Sequence, residues 1–72
     1  MNTAAFVEAI RNKRRFYCIK YFEFLEQIDF SEKTFERRMK NPGTFTLDEA
    51  ERIMEVLSFT KEERMAIFCE NS

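Results

Sequence analysis

Residues 31–41 read SEKTFERRMKN and are closed off by Pro42 and Gly43. A serine ahead of a short periodic run, then Asn-Pro-Gly, is how a helix starts and stops. Projected at about 100° per residue, Phe35 and Met39 fall on one side and Lys33, Arg37 and Lys40 on the opposite side. One side is core and the other is a cationic stripe. Lys33 and Arg37 stand at i, i+4, where like charges cost a helix roughly 0.2–0.5 kcal/mol, so stability alone does not select them. A short helix with an outward cationic stripe suits an anionic partner, and the major groove of DNA is the obvious one. The alternative is a solvated charged face, with Glu36 offsetting Lys40 as a favourable i, i+4 pair.

Upstream, residues 20–28 carry an apolar arc of Tyr21, Phe22, Phe24, Leu25 and Ile28. It is wide enough to be covered on more than one side, which predicts a central buried helix whose rings serve the core rather than a stacked ligand. Asp29 and Phe30 leave only a tight link into the next helix. The first helix starts near Asn2 or Thr3, either of which can cap, and its buried side is Phe6, Ala9 and Ile10. Tyr17 continues that stripe and Phe16 flanks it, while Arg11 and Arg15 take the far side with Arg14 on the flank. Cations late in a helix also complement its dipole, so a structural role stands beside phosphate binding for these arginines.

Downstream, residues 41–45 form a loop and two capping boxes follow: Thr46 stands three residues before Glu49, and Thr60 three before Glu63. The fourth helix is expected to bury Leu47, Ala50, Ile53, Met54 and Leu57. The fifth is expected to bury Met65, Phe68 and Cys69, leaving Ile67 on the other side beside Glu63, free to contact a second copy or a partner.

The whole chain bounds the class. With 72 residues it is one small domain, burying only somewhat more than about 60% of its unfolded surface. Hydrophobic residues make up 44%, with nine Phe, one Gly and one Pro; an efficient aromatic core and little turn material predict an all-α fold. Charged residues make up 35%, but the apolar positions are periodic, which argues against disorder. Cys18 and Cys69 are too few for a disulfide framework, and buried free thiols in a reducing compartment are expected rather than a bridge. No run approaches a membrane span or a signal peptide. The net charge of −1 is unlike a non-specific DNA binder, yet residues 11–40 hold nine Lys/Arg against five Asp/Glu, and residues 41–72 three against seven. The chain is a charge dipole, with its cations around the central stretch.

Catalysis is not expected. There is no His, the commonest general base and metal ligand, and two Cys fifty-one positions apart cannot alone close a zinc site. Asp48, Glu49, Glu51 and Glu55 lack the calcium-loop pattern, and a single Gly makes no phosphate cradle. No metal and no cofactor are implied.

Residues 22–63, FEFLEQIDFSEKTFERRMKNPGTFTLDEAERIMEVLSFTKEE, resemble the Cro/repressor-type (XRE-like) helix-turn-helix family of temperate phages and mobile elements. The combination carries the resemblance: apolar Phe24, Leu25, Ile28 and Phe30, then Ser31, Thr34, Phe35 and Arg37, the Asn-Pro-Gly loop, and a capped last helix. It implies a compact five-helix domain in which helices 2 and 3 form the DNA-reading unit and residues 31–41 the recognition helix. Carried over, it implies base or phosphate contacts from Ser31, Glu32, Lys33, Glu36, Arg37 and Lys40, with Asn41 and Thr44 near the DNA backbone. Tyr21 stands where the family usually has Gln, and Arg14 or Arg15 where a phosphate-binding cation often lies. Asp29 stands in place of the usual Gly of the turn; Asp tolerates left-handed dihedrals better than most residues. Operator DNA is then the partner, bound in the bacterial cytoplasm, with a homodimer among the states allowed. The rival expectation is an antirepressor that keeps the fold but binds a partner repressor protein, with Glu32, Glu36 and Ile67 among its contacts.

Overall fold

Five α-helices account for most of the described residues, and local chemistry sets most of their ends. Residues 1–68 are described in the computed structural model: α1 (Thr3–Tyr17), α2 (Tyr21–Ile28), α3 (Glu32–Lys40), a 3₁₀ turn (Pro42–Thr44), α4 (Leu47–Val56) and α5 (Lys61–Phe68). No strand occurs among the described residues, and none of their helices is long and apolar enough to cross a membrane.

Four of the five starts are capped by side chains; that of α2, at Lys20, is not. Asn2 Oδ1 accepts from the Ala5 N–H at 3.1 Å, and Ser31 Oγ accepts from the Thr34 N–H at 3.2 Å. Both capping boxes form: the Thr46 and Thr60 hydroxyls accept from the Glu49 and Glu63 amides, and each carboxylate accepts from the threonine amide in return. These contacts satisfy amide donors that a first helical turn leaves free.

Three ends use one device, the Schellman turn. Cys18, Asp29 and Ser58 take left-handed backbone, at φ 56°, 61° and 55°. The amide after each reaches back to the helix: Ile19 to the Arg14 carbonyl, Phe30 to Leu25 and Phe59 to Met54. The apolar residue following each turn is thereby folded back onto the bundle. Asp29 thus takes the left-handed conformation without a glycine, and α3 begins at Glu32, only three residues beyond it.

Phe6, Ile10, Phe24, Ile28, Ile53, Met54 and Leu57 are fully buried. The Phe6 ring meets Phe45 and Phe59 edge-on at 5.3 and 6.2 Å, and Phe35 meets Phe24 and Phe30 at 5.6 and 6.0 Å. Phe30 and Phe45, 6.3 Å apart, join the two groups. No polar or charged residue is buried among the described residues.

Several expected burials fall elsewhere. Ile67 is a core residue at 3% exposure, whereas Met65 is exposed; counting apolar residues selected the wrong face of α5. The face is fixed by contacts with α1, through the Ile67 carbonyl, which accepts from the Asn2 amide at 2.6 Å, and Glu63, which pairs with Lys13 at 2.9 Å. Glu63 and Ile67, four residues apart, necessarily share a side. A dimer or partner contact through an outward Ile67 is therefore withdrawn. Phe16 and Tyr17 are exposed, their rings packed on each other at 5.1 Å, because α1 runs past the edge of the core before Cys18 turns it. Phe22 and Leu47 are also exposed, each lying in the first two residues of its helix. Cys18 is an exposed free thiol rather than a buried one; Cys69 lies outside the described residues.

Candidate nucleic-acid interface

The four cations of α3 separate into two kinds. Arg38 reaches across to α4, where its Nε and Nη2 donate to the two oxygens of Glu49 at 3.1 and 3.2 Å. Glu49 also closes the α4 capping box, so one carboxylate fastens the end of α3 to the start of α4. Its pKa is held below the ordinary carboxylate value, first by the Arg38 hydrogen bond. Lys33, Arg37 and Lys40 are exposed and have no ion pair among the described residues. The Glu36–Lys40 pair does not form.

Glu36 instead lies close enough to Tyr21 for its charge to act on the phenol. Burial raises the Tyr21 pKa, reinforced by the nearby charges of Glu36 and Glu32. On the other side of Tyr21 lies the Arg14 guanidinium, 5.0 Å from the ring centroid and 5.6 Å from that of Phe24. Arg14 on α1 stacks on Tyr21 of α2, whose ring lies 6.1 Å from that of Phe35 on α3. Arg14 Nε is buried and makes no hydrogen bond; the side chain is held by stacking. Arg11, Arg14 and Arg15 line one hollow at the end of α1 together with Cys18 and Ile19. Arg15 itself is exposed.

The remaining expected contacts are polar groups already engaged in local structure. The Ser31 hydroxyl caps α3 and donates to Thr34 Oγ1 at 2.9 Å. The Thr44 hydroxyl donates to the Asn41 carbonyl at 2.6 Å, closing the 3₁₀ turn. Asn41 ends α3 and is exposed, as is Glu32 in its first turn.

Sequence reasoning passed over Arg38, Lys13 and Arg52. Lys13 pairs with Glu63, and Arg52 donates to the Ile28 carbonyl at 2.8 Å. For Arg38 and Lys13 the capping-box glutamates were the available signal, since a capping Oε1 can accept from a cation as well as from the threonine amide. Among the described residues no group of three His, Cys, Asp or Glu side chains is placed to hold a metal ion. What the surface offers chemically is an exposed row of cations on α3 beside an acidic row, Glu32 and Glu36, with further cations at the end of α1. The chain matches no protein-family model, no curated protein and no solved structure.

Proposed function

We propose that this chain is a small transcriptional regulator of the phage or mobile-element type that binds operator DNA, with α2 and α3 as a helix-turn-helix and α3 as its recognition helix. The observation that carries the proposal is the division of the α3 cations: Arg38 is consumed by Glu49, while Lys33, Arg37 and Lys40 stand exposed and unpaired along one side. Unpaired like charges on one helix side are what a phosphate-lined groove rewards. Arg37 and Lys33 are assigned to base edges, and Lys40 and Arg15 to phosphates. Arg14, stacked on Tyr21 and Phe24, orients the end of α1. The protein acts without catalysis, in the bacterial cytoplasm.

A second reading, an antirepressor that binds a partner repressor, is favoured by Glu32 and Glu36. Both are exposed on α3 beside the cations, and carboxylates there oppose phosphates unless they accept from a cytosine amino group.

Fluorescence anisotropy against fragments of the surrounding genetic region, across a salt series, decides between them. Operator binding gives saturable affinity for one fragment, with a log–log salt slope of about −0.9 per phosphate contact. Arg37→Ala should then cost roughly 1–3 kcal/mol and relax specificity, and Lys40→Ala should weaken all sequences alike and reduce the slope by about one. Absence of binding at low salt would overturn the DNA reading in favour of the antirepressor.

A further inference from the structure

Outside the cationic row lies a second surface of different character. Phe22, Leu25 and Phe30 form the apolar part of a groove of about 390 Å³, and Glu23, Glu26 and Glu32 make up the rest of its lining. Phe22 is 67% exposed, although it sits in a helix whose other phenylalanine is fully buried. No Lys or Arg lines the groove, and among the described residues the Glu23 and Glu26 carboxylates have no hydrogen bond or ion pair. An apolar floor with an uncompensated acidic rim is complementary to an amphipathic segment that carries a large apolar anchor flanked by Lys or Arg. It is equally unsuited to phosphates, which three carboxylates repel.

We propose that this groove is a docking site for a cationic amphipathic helix of a partner protein. The anchor covers Phe22 between α2 and the turn into α3, and the basic flanks meet Glu23, Glu26 and Glu32. Glu32 is the first residue of α3 and adjoins Lys33, so a seated helix borders the cationic row and competes with anything bound along it. The site does not depend on the DNA reading, because none of its residues belongs to the cationic row.

The test is an amide chemical-shift titration of the isotopically labelled full chain with two synthetic helical peptides of about 15 residues. Both carry leucine anchors on one face; one is flanked by Lys and Arg, and the other has Glu at those positions. The basic peptide should shift the amides of Phe22, Glu23, Glu26, Phe30 and Glu32 saturably, and the acidic peptide should not. Phe22→Ser and Glu26→Lys, both at exposed positions, should each weaken the basic peptide by about tenfold, while Arg37→Ala leaves its affinity unchanged. The proposal is overturned by equal binding of the two peptides, by shifts centred elsewhere, by no saturable shift, or by insensitivity to either groove variant. It is overturned equally if duplex DNA shifts the same amides in the wild type and not in Phe22→Ser. Concentration-dependent groove shifts of the protein alone, abolished by Phe22→Ser, would assign the groove to a second copy and overturn it too.

Discussion

Arg37 and Arg38 are neighbours in sequence with opposite roles. Arg38 is spent on a forked contact with Glu49, and Arg37 is left exposed. Alanine at each should separate stability from binding: Arg38→Ala lowers the melting temperature, whereas Arg37→Ala leaves it unchanged and weakens operator affinity. A thermal melt beside an anisotropy titration reads both, and a melting temperature indifferent to Arg38→Ala would deny the fastening role. Arg14 needs the same separation. Its guanidinium lies over two rings, a contact worth about 0.5–2 kcal/mol, so Arg14→Ala should reduce stability as well as affinity, and Arg15→Ala affinity alone. At this scale the exposed row Lys33, Arg37 and Lys40 was legible from a 100° projection, because exposure on one helix follows from spacing. The Arg38 partner was not, since it lies eleven residues away on another helix.

Helix starts were easier to read than helix stops, although the Asn-Pro-Gly end of α3 and the tight link after α2 were both legible. A start is announced by a side chain that caps its own turn, as at Asn2, Ser31, Thr46 and Thr60, and the partners are three residues away. A stop usually announces itself by glycine, but Cys18, Asp29 and Ser58 hold left-handed backbone without it. The only glycine, Gly43, has negative φ and open space where a Cβ would stand. Moving the glycine to where it is needed should therefore stabilise the domain. Asp29→Gly should gain up to about 1 kcal/mol by relieving the left-handed cost, and Gly43→Ala about 0.4–1 kcal/mol by restricting the unfolded chain. Chemical denaturation of the two variants measures both gains, and a loss at Asp29→Gly would mean that the Asp side chain supports the turn. The opposite sign is expected at a start: Thr46→Ala should cost about 0.5–2 kcal/mol. The wrong face of α5 belongs here too, because Met65 and Ile67 are equally apolar by count and only the contacts of α1 distinguish them.

Across the molecule, two glutamates tie helices together: Glu49 joins α4 to α3, the helix before it, and Glu63 joins α5 to the distant α1. Both are held below the ordinary value of 4.5, Glu49 chiefly by Arg38 and Glu63 chiefly by the Thr60 amide and then Lys13. With folded values depressed, the unfolded chain takes up the proton first. The stabilisation is complete above the ordinary value and is lost as the pH falls through the lowered ones. Melting temperature should thus decline on acidification below about pH 4.5, and Glu63→Gln, which can still cap, should flatten that decline. An unchanged acid slope in the variant would remove Glu63 from the account.

The hydrogen bond from the Asn2 amide to the Ile67 carbonyl closes almost the whole chain into a ring. Loop-closure entropy grows with the length enclosed, so this contact is expected to form late in folding and to open early from the native state. Local opening of such a unit needs less free energy than global unfolding. In deuterated water the Asn2 amide should exchange well before the amides of α2 and α4, and its rate would report directly how often α5 lifts from the bundle.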